Sequence, residues 1–193
     1  MVTKRARWIL AIGLWSAATA SGLYTIAAHG AGPGIPPDAP AALSASFRTA
    51  GRATLVVAVH PACPCTRATF RELDRILVDG THDADVVILF AGDPARDRVA
   101  RDLREHAERM KSVRLIDDPK QEIAKSLGAH TSGTVLFYDA TGALKFAGGI
   151  TPSRGHEGDS AGADAVRTLL ATSSPSAAPR TPVYGCSLAS KSQ

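Results

Sequence analysis

The chain has 193 residues, 45% hydrophobic and 5% aromatic, which supports one sizeable domain with additions and falls short of two ordinary ones. With so few aromatic side chains, the core must be built mainly from Val, Leu, Ile and Ala. The formal charge is +4, but Lys4, Arg5 and Arg7 precede the first acidic residue, Asp38, so the excess sits at the N-terminus and gives no reason to invoke nucleic acid.

Residues 1–7 read as a basic cytoplasmic end. Trp8 to Ala28 carries no charge, and its roughly 21 residues span about 30 Å as a helix, the thickness of a hydrocarbon core. Trp8 and Tyr24 lie near its two ends, where amphipathic rings favour the interface. The basic residues before it should stay cytoplasmic and leave the rest of the chain outside. A cleaved signal peptide is the competing reading, supported by small residues around Ala27 to Ala31, but its apolar region is usually only about 7–15 residues. The length favours a single-pass anchor over 8–29. Anchored or secreted, the domain is exported to a periplasmic or extracellular side. Residues 30–40, rich in Gly, Pro and Ala, read as an extended linker.

Ala53 to His60 is a short, nearly continuous apolar run, the pattern of a strand buried on both faces. Pro61 ends it. A helix is expected from Pro64, since proline suits the first helical position, with Phe70, Leu73, Ile76 and Leu77 as its apolar stripe. Asp85 to Ala91 reads as a second buried strand. Asp93-Pro94 opens a charged helix to about Met110, with Val99, Leu103 and Ala107 facing inward. Val113 to Ile116 is a third strand. Asp118-Pro119 caps a helix in which Ile123, Ala124 and Leu127 face inward and which stops at Gly128. Thr134 to Tyr138 and Leu144 to Phe146 flank a hairpin turn at Asp139 to Gly142. Ala161 to Ala171 is the last helix. The order βαβαβαββα implies an α/β fold, a mixed and helix-covered sheet, over 41–171. The Ser, Ala and Pro content of 172–182 reads as poor order in a low-complexity tail, 172–193, that carries Cys186.

Three cysteines are too few, and odd in number, for a disulfide-dense scaffold. Two of them flank a proline, Cys63-Pro64-Cys65, at a strand-to-helix turn. With Pro64 opening the helix, Cys63 is expected as N-cap and Cys65 in the first turn. Free amide N–H groups and the helix dipole there favour a thiolate, which lowers the thiol pKa and makes it reactive. His60 and Arg67 are candidate cations beside it. A Cys63–Cys65 disulfide is tight, because Pro64 restricts the backbone between the sulfurs, and such a bond is easily reduced. Thiol–disulfide exchange, with Cys63 attacking and Cys65 resolving, is the leading expectation. It needs no cofactor and acts on protein thiols or disulfides.

The element order, with a Pro-Cys pair opening the first helix of the domain, resembles the thioredoxin-like superfamily. The extra helix and strand between Asp93 and Ile116 resemble its membrane-tethered exported branch or the peroxiredoxins. The segments His60 to Ala68, Gly155 to Asp159 and Thr181 to Cys186 together resemble the RedB-like proteins. Two departures stand out. Thioredoxins carry Cys-x-x-Cys where this chain has Cys-x-Cys. They also place a substrate-binding cis-proline before the next core strand, where this chain has Thr131-Ser132-Gly133-Thr134, with Gly133 at the proline position.

Two other function classes remain open. Copper or zinc binding would draw on His60, Cys63 and Cys65, with His156 or Cys186 completing the site, since soft sulfur ligands suit those metals. A non-catalytic binding module is the third class. Cys186 itself is a tether to Cys63 or Cys65, a metal ligand, a link to another chain, or a free thiol. Glu157 and Asp159 read as helix-start residues as readily as functional ones. His130 is expected near the thiols, and His29, His82 and His106 as solvated.

Overall fold

Ala53–Val59 forms β1 at the centre of the sheet, and six of its seven residues are buried. In the computed structural model, which describes residues 3–78, 84–91, 98–110, 112–172 and 180–188, the chain divides into two compact units, Met1–Gly32 and Pro33–Gln193. The first unit is one helix, α1 (Lys4–Ala31), with Thr3 as N-cap. Its stretch Lys4–Ala28 is long and apolar enough to cross a membrane, as a signal anchor or a signal peptide would be.

The second unit follows the expected order. After β1 come α2 (Cys65–Leu77), β2 (Ala84–Phe90), α3 (Arg98–Arg109), β3 (Val113–Asp117) and α4 (Glu122–Ser126). The hairpin β4 (Thr134–Tyr138) and β5 (Leu144–Gly148) and the final helix α5 (Ala161–Ala171) complete it. The sheet order is β3-β2-β1-β4-β5. β1 runs parallel to β2 and β2 to β3, while β4 is antiparallel to both β1 and β5.

Side chains alternate across the sheet with period two. Leu55, Val57 and Val59 join one core with Phe70 and Leu73 of α2 and Val166 of α5. Val56 and Ala58 point to the other face, where Leu43, Leu127 and Leu188 cover them. The first face is thus packed by regular amphipathic helices. The second is covered largely by irregular segments, the C-terminal one included.

Several local expectations shift. α2 starts at Cys65; Pro64 precedes it with helical dihedrals (φ −58, ψ −29), a one-residue change at a helix end. The helix expected from Asp118-Pro119 starts only at Glu122, because Asp118 turns its carboxylate onto Ala124 N (2.8 Å) across a tight turn. In α3, Val99 is 42% exposed and Ala100 takes its place against the sheet. The Asp93-Pro94 start of that helix lies outside the described residues. Arg104 pairs with Glu108 and Arg109 with Glu105, the solvated i,i+4 pattern its charges imply. Residues expected as linker and tail are built into the domain: Gly34 N donates to Val183 O (2.7 Å) and Asp38 N to Gly128 O (2.9 Å).

Candidate functional site

The site forms where β1 ends and the chain enters β4. His60 leaves β1 and closes a turn: its carbonyl accepts from Cys63 N (3.0 Å) and from Thr66 Oγ1 (2.9 Å). Its ring Nδ1 accepts from Ala62 N (3.1 Å). Ser132, fully buried, accepts from His60 N (2.9 Å), and its Oγ lies 3.1 Å from Thr66 Oγ1. Pro64 fits the helix start because an amide N–H there would have no helical partner. These contacts fix Cys63 just outside α2 and Cys65 at its first residue, both buried.

A third thiol arrives from the far end of the sequence. Thr131 and Ser187 form an antiparallel bridge, Ser132 N donates to Cys186 O (2.8 Å) and Leu188 N to His130 O (2.8 Å). Val183 and Leu188, buried on either side of Cys186, hold the segment down. Gly185 is buried so closely that a Cβ there would collide with Ser132 O. The Cys186 sulfur therefore lies 2.9 Å from that of Cys63, with Cys186 N 3.4 Å from the same sulfur.

Charge favours one thiolate in this cluster. Burial pushes the Cys63 thiol up, but hydrogen bonds from the Cys186 thiol and amide, Cys65 N–H and Ser132 outweigh it and hold Cys63 below the ordinary thiol value. Cys65 is raised, by burial first and then by the neighbouring Cys63 charge. Cys186 is pushed up to about 12 by burial and by its hydrogen bond to Cys63. Arg154, from the loop between β5 and α5, opposes both rises. It also donates from Nη1 to Gly185 O (2.5 Å).

The expected site residues separate into two groups. Cys63, Cys65, Cys186 and Gly133 come together. Gly133 (φ +92) lies under the C-terminal segment, where a Cβ would sit 3.1 Å from Thr69 Oγ1 and 3.7 Å from Tyr184 O. No cis peptide occurs among the described residues. Arg67 is exposed, and Arg154 is the cation that acts on the thiols. His60 builds the turn through its backbone and Nδ1. His156 is exposed, with Nδ1 2.9 Å from Arg154 O. Of the metal set His60, Cys63, Cys65, His156 and Cys186, the thiols are neighbours but the two histidine Nδ1 atoms are engaged with backbone, and no group of three His, Cys, Asp or Glu that could hold an ion occurs among the described residues.

Glu157 does not cap α5; Ser160 does, accepting from Ala163 N (3.1 Å). Glu157 instead pairs with Arg71 (2.7 Å) and Arg75 (3.0 Å) of α2. Buried Glu72 accepts from Gly158 N (2.6 Å), so the loop carrying Arg154 is tied to the helix carrying Cys65. His106 meets Asp74 (2.8 Å) and packs on Phe70, so it is not simply solvated. His130 contributes its carbonyl beside the thiols. His82 lies outside the described residues. Sequence reasoning passed over Arg154 and Ser132; their only signal was position, one just before the Gly155 to Asp159 segment and the other beside Gly133.

No protein-family model matches the chain, and no curated protein matches it. Solved structures do. An uncharacterised conserved protein from Geobacillus kaustophilus is 20% identical with a TM-score of 0.62, covering 84% of this chain and 94% of that one. A hypothetical protein from Sinorhizobium meliloti 1021 is 21% identical with a TM-score of 0.58, covering 84% and 93%. A secreted disulfide oxidoreductase from Mycobacterium tuberculosis is 16% identical with a TM-score of 0.45, covering 66% and 84%. At these identities the first two show a likeness of fold alone. The chain has a thioredoxin-like fold, a mixed five-stranded sheet with helices, and an apolar N-terminal helix precedes it.

Proposed function

We propose that the chain is an exported, membrane-anchored thiol–disulfide oxidoreductase or redox carrier whose attacking group is the Cys63 thiolate. The observation that carries this reading is a buried sulfur at the start of α2 with a second sulfur 2.9 Å away. A thiolate, not a thiol, attacks a disulfide. Amide N–H groups, the Ser132 hydroxyl and a neighbouring thiol proton all favour the charged form of Cys63. Its partners are protein thiols or disulfides. Of the segments that resemble the RedB-like proteins, His60 to Ala68 and Thr181 to Cys186 meet at these thiols, and the backbone of Gly155 reaches Cys65, in keeping with that narrower resemblance.

Redox titration of the full chain in detergent, with thiols trapped by alkylation, tests the reading. One intramolecular disulfide should form and break reversibly, and Cys63→Ser should abolish it. A chain that forms no such bond in strong oxidant would sink the proposal. The α1 anchor is tested separately: carbonate extraction should leave the protein with the membrane, whereas a cleaved form would be released.

A further inference from the structure

We propose that Cys186 is the resolving thiol of this site, and that residues 181–188 form a strap which closes over Cys63 when the two sulfurs bond. The proposal rests on the redox reading above and names its second thiol.

The geometry separates the two possible partners of Cys63. Pro64, with φ −58 and ψ −29, lies between Cys63 and Cys65 and restricts the backbone between their sulfurs, which makes a bond between residues two apart tight. The Cys65 thiol also hydrogen-bonds to Cys63 and feels its charge, but the 2.9 Å sulfur contact, with a backbone N–H on the same sulfur, belongs to Cys186. The strap is placed for this contact. Thr181 Oγ1 donates to Gly149 O (2.8 Å), Val183 O accepts from Gly34 N, and Arg154 holds Gly185 O, the carbonyl just before Cys186. The antiparallel bridge at Thr131 and Ser187 then presents Cys186 as an added strand would present a cysteine to this edge.

The strap also covers its target. Cys63 is 1% exposed, so an incoming protein disulfide reaches it only when the strap lifts. A cleft of about 250 Å³ beside Pro182, Tyr184 and the start of α5 leaves room along one side of the strap.

The exchange balances as follows. The Cys63 thiolate attacks one sulfur of a protein disulfide RS–SR′; a Cys63–SR bond forms, RS–SR′ breaks, and R′S⁻ leaves with the electron pair and takes up a proton. Cys186 then ionises and attacks the Cys63 sulfur. The Cys63–Cys186 bond forms, Cys63–SR breaks, and RS⁻ takes up the proton that Cys186 released. The substrate gains two electrons and two protons, and the cysteine pair is oxidised. Once Cys63 is in a mixed disulfide, its negative charge and hydrogen bond no longer keep the Cys186 proton in place.

Mass spectrometry of the full chain in detergent tests the assignment. Diamide takes up the two hydrogens, remaining thiols are alkylated, and trypsin follows. Cys63 and Cys65 share the peptide Ala53–Arg67, and Cys186 lies in Thr181–Lys191. The expected product joins these two peptides, persists in Cys65→Ser, and falls at least tenfold in Cys63→Ser and Cys186→Ser. A disulfide within Ala53–Arg67 in the wild type overturns the proposal and leaves the oxidoreductase reading standing. A cross-link that survives Cys63→Ser and vanishes in Cys65→Ser also overturns it. No intramolecular disulfide in any form overturns both. The wild-type map decides even if a variant fails to fold.

Discussion

Cys63 and Cys186 reach the same point on two kinds of backbone. Cys63 sits between the central strand β1 and the amphipathic helix α2, whose Phe70 and Leu73 are fully buried. To move it, the main core must open. Cys186 sits in a segment held by one bridge, a few backbone hydrogen bonds, Arg154 and the buried side chains of Val183 and Leu188. Such a segment can open locally at a fraction of the global unfolding free energy. The site thus has a rigid half, which carries the reactive thiolate, and a releasable half, which supplies the second sulfur, hydrogen-bonds that thiolate and controls access.

The largest effect should come from breaking the rigid half. Phe70→Ala removes a fully buried ring that packs on Phe90 and His106, and should cost about 3–5 kcal/mol in denaturant unfolding. Val183→Ala, on the releasable half, should cost only about 1–2 kcal/mol. It should show instead as faster limited proteolysis near the strap. Equal global losses for the two variants would erase the distinction between the halves.

Next comes a steric test of the strap alone. Gly185→Val puts a branched side chain where even a Cβ meets Ser132 O. The strap should lift while the sheet stays folded. The rate of iodoacetamide labelling at Cys63 should rise at least tenfold, with the main thermal transition within a few degrees of wild type. Unchanged labelling would mean that the strap does not shield the thiol.

A smaller change separates electrostatics from shielding. Cys63 is held below the ordinary thiol value partly by the Cys186 thiol and amide. A depressed thiol pKa means that the labelling rate levels off at a lower pH than for a free cysteine. Cys186→Ala removes one donor, so the Cys63 midpoint should move up. A downward move would contradict the hydrogen-bond account.

The two halves were unequally legible in the sequence. The apolar run of β1, Pro61 and Pro64, and the stripe Phe70, Leu73, Ile76 encode the rigid half within some 25 residues, because strand and helix periodicity are local. The strap carries no such period. Val183, Gly185 and Leu188 acquire meaning only against His130 and Ser132, a pairing across more than forty residues. Low-complexity composition therefore suggested a loose tail, and Cys186 kept four open readings. The Cys63-Pro64-Cys65 motif was clear as a site, but its spacing drew attention to the neighbour in sequence rather than to the neighbour in space. Arg154 was hidden for the same reason, since its loop reaches α2 through Glu157 with Arg71 and Arg75, and through Gly158 with Glu72.

Arg154 sharpens the comparison at its finest scale. It holds Gly185 O and favours the thiolates of Cys65 and Cys186, whereas Cys63 is held down by hydrogen bonds from the Cys186 thiol and amide, Cys65 N–H and Ser132. Arg154→Gln should therefore leave the Cys63 labelling midpoint nearly in place. It should instead slow closure of the Cys63 mixed disulfide by Cys186. Cys186 must ionise to attack, and losing a nearby cation raises its pKa further, so at neutral pH its thiolate fraction falls. A deficit of about threefold corresponds to roughly 0.7 kcal/mol, in the range of a partly exposed charge interaction. The rate–pH profile for closure should shift to higher pH in Arg154→Gln, and Arg154→Lys should recover much of it by restoring the charge. If Lys and Gln are equally slow with unshifted profiles, Arg154 acts only by gripping Gly185, and its charge plays no part in resolution.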